Sequence, residues 1–219
     1  VVYAKDSEGN ISFNYKVSSY ENQAQADGKP YGIIHSFSSG QKSISWFSDA
    51  AGEEEQVLQY APNGTEEWTT VPAKTELRTF VTGKNQAAKV SSVALTGLDY
   101  DTTYDYRVGC EGKWSDVGSF KLRGGSKFFV LGDIQAEDLT NINAIMDNVK
   151  EGGFSFGLQT GDAVDNAASY SGWMDIISLF GTEKLGDIDM LHVLGNHEYA
   201  GDGDASAAAA IYNLPTKGA

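Results

Sequence analysis

With 219 residues, 41% of them hydrophobic, the chain can bury a core in one or two domains, and no apolar run approaches the roughly 18 to 20 residues of a membrane span. Sixteen Lys and Arg against 30 Asp and Glu leave a net charge of -14, which disfavours a broad interface with nucleic acid or an anionic membrane. Any anionic substrate would need a local cation, and the single cysteine, Cys110, excludes an intramolecular disulfide and a Cys-based zinc cluster.

The start, "VVYAKDSEGN", has neither a basic segment nor an initiator Met, so it is expected to follow a removed signal peptide, with the protein secreted or at the cell surface. Residues 1–28 are polar and read as an N-terminal extension. From residue 29 to 123, short β-rich runs alternate with turn residues: "YGIIHSF", "SISWFS", "EQVLQYA", "RTFVTG", "AKVSSVAL", "TTYDYRVG" and "GSFKL". That spacing predicts an all-β sandwich of fibronectin-like or immunoglobulin-like type. Trp46 is expected to anchor its core, and Tyr104 and Tyr106 follow a turn as a tyrosine corner would.

The rhythm changes at "RGGS", residues 123–126, which sets the domain boundary. Beyond it "KFFVLGD" reads as a buried strand, and "AEDLTNINAIMDNVK" as a helix whose Leu139, Ile142, Ile145, Met146 and Val149 recur at helical spacing. "FSFGLQTGD" gives a second strand. Residues 169–180 give a helix with Trp173, Ile176, Ile177 and Phe180 on one face, "DMLHVLGN" a third strand, and "ASAAAAIYNLP" a short helix capped by Asp204 or Ser206. Strand and helix alternation predicts parallel pairing with right-handed crossovers, so residues 124–219 are α/β and the chain is multidomain.

Each of these three strands ends in a polar cluster: Asp133 and Gln135 in "LGDIQ", Asp162 and Asp165 in "TGDAVD", Asn196 and His197 in "LGNHE". In open α/β sheets the ligand site lies at the carboxyl ends of the strands, where the three clusters would converge. Carboxylate, amide and imidazole donors together suit Mg, Mn, Fe or Zn. A glycine before each cluster lets the chain turn away sharply from its strand. Gly186-Asp187, Gly201-Asp202 and Gly203-Asp204 follow no long apolar run and read as turns. His35 and His192 read as strand residues with satisfied hydrogen bonds, and Glu198 either helps to position His197 or begins the next loop. No Ser-His-Asp or Cys-His arrangement stands out among only three histidines.

The ordered set of "GDIQ", "GDAVD" and "GNHE" resembles the metallophosphoesterase superfamily. With "SISWFSD", "VLQYAP" and "VSSVALTGLDYDTTYDYRVGCEGKWSDVGSF", the chain resembles bacterial purple acid phosphatase-like proteins over most of residues 29–219. The resemblance implies a fibronectin type III-like domain over 29–123, then the N-terminal half of an αββα phosphoesterase domain over 124–219. It makes Asp133 a ligand of one metal, Asp162 the carboxylate that bridges two, Asn196 a ligand of the second, and His197 the catalytic group facing the phosphate. Gln135 stands where many members have a metal-binding His, so it either binds weakly or holds a water. Asp165 falls where purple acid phosphatases carry a Tyr on ferric iron, so no purple colour is expected. The implied cofactors are two metal ions, Fe, Zn or Mn. About 3.5 to 4 Å apart, such ions polarise a phosphoryl oxygen and activate a water for in-line attack. The implied substrate is a phosphorylated small molecule, first of all a phosphomonoester; a phosphodiesterase, a nucleotidase and an inactive extracellular binding module are the alternatives. The family's later histidine motifs, "GHxH" among them, are absent after His197, so the 219 residues are expected to be a fragment that hydrolyses little alone.

Overall fold

The computed structural model describes residues 3–5, 11–13, 21–22, 27–38, 40–135 and 138–215; most of the expected extension over 1–28 lies outside them. Three short strands, β1 (Tyr3–Lys5), β2 (Ile11–Phe13) and β3 (Glu21–Asn22), precede the sandwich. Its strands are β4 (Tyr31–Ser38), β5 (Gln41–Asp49), β6 (Val57–Pro62), β7 (Thr69–Pro72), β8 (Lys74–Phe80), β9 (Gln86–Leu95), β10 (Thr103–Cys110), β11 (Lys113–Trp114) and β12 (Gly118–Lys121). One sheet runs β11-β10-β6-β7 with β12 also on β10; the facing sheet contains β4, β5 and β9, with β8 also on β9.

Strand alternation fills the space between the sheets. Tyr104, Tyr106 and Val108 of β10 point inward at every second position and meet Ile44, Trp46, Leu58, Val93 and Phe120. Trp46 is fully buried, as expected of an anchor, and its indole N–H donates to Gln56 Oε1 at 3.1 Å. The Tyr104 hydroxyl accepts the backbone N–H of Asp99 at 3.0 Å, the bond that makes a tyrosine corner. Tyr106 instead bonds His35 Nε2 at 2.9 Å inside the sandwich.

The second half supplies β13 (Phe128–Leu131), α1 (Thr140–Glu151), β14 (Phe156–Gln159), α2 (Tyr170–Phe180), α3 (Thr182–Leu185), β15 (Asp189–His192), a 3-10 turn (His197–Tyr199) and α4 (Ser206–Ile211). The three strands are parallel and in step, Val130 beside Leu158 and Leu158 beside Leu191. Ser169 caps α2, its Oγ accepting from Gly172 N at 3.1 Å, and Trp173, Ile176, Ile177 and Phe180 are buried as their spacing predicts. In α1 the apolar stripe is narrower than its sequence suggests: Met146 and Val149 are buried, whereas Ile145 turns to solvent. Asp204 accepts from Ser206 N at 3.0 Å at the start of α4, and Asp202 accepts from Ala207 N at 2.6 Å.

The free edge of β15 meets β4, pairing Met190 with Ser36 in parallel, so one sheet runs β13-β14-β15-β4-β5-β9-β3 through both halves. β5 is therefore covered on both faces. Ile44 and Trp46 face the sandwich core, while Phe47 joins Val90, Trp173, Phe180, Met190 and Tyr212 in a second core. Its serines leave room for polar stitching: Asn213 donates to Ser43 Oγ at 2.7 Å and accepts from Ser92 Oγ at 3.1 Å. Deeper still, Lys42 of β5 pairs with Asp189 at the head of β15 at 2.5 Å, the lysine side chain wholly buried. Among the described residues no helix is long and apolar enough to cross a membrane.

Candidate metal centre

The three parallel strands end at Leu131, Gln159 and His192, and the loops that leave them run against one another. Asp133 N donates to Gly161 O at 3.1 Å, Ile134 N to Asp162 O at 2.9 Å and Gln135 N to Ala163 O at 3.2 Å. The first cluster is thus laid along the second by backbone bonds alone. The third is tied to the second by side chains: Asp162 Oδ1 accepts the backbone N–H of His197 at 2.9 Å, and the Glu198 carboxylate accepts from Asp162 N, Ala163 N and Gly195 N.

Two of the ligand candidates have left-handed backbones, Asp133 with φ 55° and Asp162 with φ 54°, conformations that aspartate tolerates better than most residues but that still store strain. The preceding glycines are needed for another reason, the close approach of the loops. A Cβ on Gly132 would stand 2.1 Å from Thr160 Oγ1, and one on Gly195 would stand 2.1 Å from Asp162 Oδ1 and 2.6 Å from Asp162 N. Gly195→Ala is accordingly expected to destabilise the protein by about 1–3 kcal/mol through overpacking against Asp162. Urea unfolding reads it, and a variant as stable as the parent would contradict the close approach.

Of the sequence-predicted residues, Asp133, Gln135, Asp162, Asp165, Asn196 and His197 all lie at this one sheet end. Gln135 points its amide nitrogen at Asp133 Oδ1, 3.3 Å away. His197 Nδ1 donates to the Asp165 backbone carbonyl at 2.8 Å, with the Asp165 carboxylate 3.5 Å off. That carbonyl first, and then the negative charges of Asp162, Asp165 and Glu198, hold the imidazole above its ordinary pKa. Asn196 is exposed at the tip. His192 lies apart: it stacks on Tyr212 with ring centroids 3.5 Å apart, and neither ring nitrogen has a hydrogen-bond partner, contrary to the satisfied bond expected of it. The rings that flank it are those of Tyr212 and Phe180.

Glu198 is the functional candidate whose role the sequence left open. It is fully buried, one residue after the imidazole, and its adjacency in "GNHE" was its only signal.

A separate cleft of about 1000 Å³ lies between the sandwich and α2–α3, but none of the strand-end residues line it. Its cations already have partners, Lys29 with Asp116 at 3.1 Å and Arg123 with Asp187 at 2.8 Å, which makes it a poor anion site.

The residue types at the sheet end suit a metal in part. Among the described residues no group of three or more His, Cys, Asp or Glu could hold an ion by itself. The Asp133 and Asp162 carboxylates and the Asn196 amide supply three hard oxygen donors, with Gly132, Gly161 and Gly195 keeping the cradle narrow.

Residues 30–122 match the family profile of the purple acid phosphatase N-terminal domain, and residues 126–217 that of the calcineurin-like phosphoesterases. The chain belongs to the purple acid phosphatase-like metallophosphoesterases. Purple acid phosphatase PPD1 from yellow lupin (Lupinus luteus) seeds shares its fold, with a TM-score of 0.67 and 13% identity over 87% of this chain and 41% of the lupin chain. The structure of PhoD aligns with a TM-score of 0.48 and 12% identity, over 81% of this chain and 41% of its own. No curated protein matches the sequence. This metallophosphoesterase chain spans 41% of the length of those solved chains. Its family hydrolyses phosphate esters at binuclear metal centres.

Proposed function

We propose that this chain carries the first half of a two-metal site for hydrolysis of phosphate esters, phosphomonoesters first among them. The observation that supports it is the convergence of Asp133, Asp162 and the Asn196–His197 pair at one end of three parallel strands, tied loop to loop. Asp133, Asp162 and Asn196 would hold the ions, and Asp162 sits between the other two loops, as a bridging carboxylate must. Bound there, the metals supply Lewis-acid polarisation of the phosphoryl group and an activated water.

The remaining chemistry belongs to the protein. His197 gives Nδ1–H to the Asp165 carbonyl, which fixes the ring plane; in the imidazolium form, which that carbonyl and the nearby carboxylates favour, Nε2 carries the second proton and can donate it to a phosphoryl or leaving-group oxygen. Asp165 acts by orienting that ring, and Gln135 by holding the Asp133 carboxylate through its amide N–H. With only three oxygen donors, the chain by itself would bind metal weakly and turn over little.

Mn2+ titration followed by electron paramagnetic resonance tests the reading. The chain is expected to bind Mn2+, and Asp162→Asn to weaken binding at least as much as the 10–100-fold typical of losing a supporting partner. Equal binding by both would sink the assignment. Turnover of a chromogenic phosphomonoester by the protein that carries this chain, dependent on Mn, Fe or Zn, tests the reaction. The alternative of an inactive binding module draws on Gln135, whose amide N–H and not its oxygen faces Asp133. It predicts no metal-dependent turnover under any loading.

A further inference from the structure

We infer that Glu198 is a positioning residue for the metal centre, its buried carboxylate locking the Asp162 loop to the Asn196–His197 loop; the inference rests on the metal-site reading above. Glu198 is 0% exposed, and among the described carboxylates only it and Asp189 are buried, Asp189 against a lysine and Glu198 against no cation. A buried carboxylate is tolerated only where its charge is met by donors. Here the donors are three backbone N–H groups: Ala163 N at 2.7 Å on Oε1, and Asp162 N at 2.9 Å and Gly195 N at 2.6 Å together on Oε2.

The origin of those donors separates a positioning role from a simple turn cap. A capping side chain binds the N–H groups of its own loop. Only Gly195 fits that description. Asp162 and Ala163 lie 36 and 35 residues upstream, beyond a different strand. The tie is also reciprocal, since Asp162 Oδ1 accepts the N–H of His197, the residue before Glu198. Two carboxylates therefore cross between the same two loops, Glu198 binding the backbone of Asp162 and Ala163, and Asp162 the backbone of His197.

This crossing decides where the ligand atoms sit. Asp162 is held with φ 54°, a conformation its own side chain does not favour, by Glu198 on its N–H and by Ile134 N on its carbonyl. With Oδ1 engaged by His197 N, the plane of the Asp162 carboxylate is set, leaving Oδ2 free of that bond. Outer partners of this kind orient metal ligands and tune affinity without touching the ion. Glu198→Gln keeps the size of the arm but sets an amide NH2 against a backbone N–H, so at least one of the three bonds is lost.

The experiment has two arms on the full 219-residue chain. Without metal, amide hydrogen exchange is read at Asp162, Ala163 and Gly195. The parent is expected to protect all three, and Glu198→Gln to speed their exchange by about tenfold or more while β5 stays protected. With Mn2+, Glu198→Gln is expected to weaken binding by roughly 10–100-fold, whereas Met146→Ala, a core truncation within α1 and on none of the strand-end loops, lowers the melting temperature but leaves Mn2+ affinity unchanged. Unchanged exchange in Glu198→Gln overturns the inference, as does equal loss of Mn2+ affinity in Glu198→Gln and Met146→Ala. If Glu198→Gln does not fold, the parent alone decides, because unprotected amides at Asp162 and Ala163 overturn the clamp. If the parent binds Mn2+ no better than Asp162→Asn, the metal-site reading fails, and the exchange arm still decides whether Glu198 holds the loops.

Discussion

Asp189→Asn is expected to destabilise the protein by about 3–5 kcal/mol, the usual cost of leaving a buried charge without its partner. Lys42 Nζ lies 2.5 Å from Asp189 Oδ1, with the lysine side chain fully buried and the aspartate 12% exposed. Burial, more than any other influence, lowers the pKa of Lys42 and raises that of Asp189. Each group's attraction to the other opposes its shift without cancelling it, so the ionised pair contributes little net stability. What it contributes is register, because β5 and the head of β15 come from opposite ends of the chain. Lys42→Met together with Asp189→Asn should therefore recover most of the loss. Urea unfolding of the two single variants and the double variant measures this. An Asp189→Asn cost below about 1 kcal/mol would mean that water reaches Lys42 and that the pair is effectively a surface one. Since the two halves share a sheet and a core, a single transition by fluorescence and by far-ultraviolet dichroism is the accompanying expectation.

His192→Phe is expected to stabilise the protein, and increasingly so in acid. Neither ring nitrogen of His192 has a partner, and burial pushes its pKa down to about 3. The unfolded chain takes up a proton on this residue near pH 6.5, while the folded chain refuses it until about pH 3. Between those values unfolding binds a proton, so the histidine's contribution is intact above pH 6.5 and is lost on acidification by up to about 1.4 kcal/mol per pH unit. Phenylalanine keeps the stack on Tyr212 and abolishes that slope. At pH 4.5 the gain should reach roughly 3 kcal/mol, with a further 1–3 kcal/mol at every pH from removing unpaired buried nitrogens. His35, also buried and also shifted down by burial, leaves a residual acid slope in the variant. Parallel stability profiles for parent and variant from pH 7 to 4.5 would show that His192 is hydrated.

The loops at Gly132, Gly161 and Gly195, one to three residues past the strands, could be found in the sequence because apolar runs followed by glycine and polar residues mark where a parallel strand gives way to a loop. Tyr104 was legible for a similar reason, since a tyrosine corner is a local pattern of turn, tyrosine and strand. Ile145 was misread because helical spacing reports a stripe without its width, and the width is set by how much of α1 the sheet covers. His192 was misread because period and composition say nothing about whether a buried nitrogen meets a donor, an acceptor or only the face of Tyr212.

The sequence by itself determined the two architectures, the order of the three clusters and the residues at their tips, because these follow from local periodicity and from residue chemistry. Only the tertiary structure decided that β15 lies beside β4, that Lys42 meets Asp189 across 147 residues, and that Glu198 is a clamp and not the start of a loop. Those facts depend on which segments come together, and a contact between distant segments leaves no periodic trace in either one. A buried Glu and an exposed Glu are the same letter, and the three backbone N–H groups that distinguish them carry no side-chain signature at all.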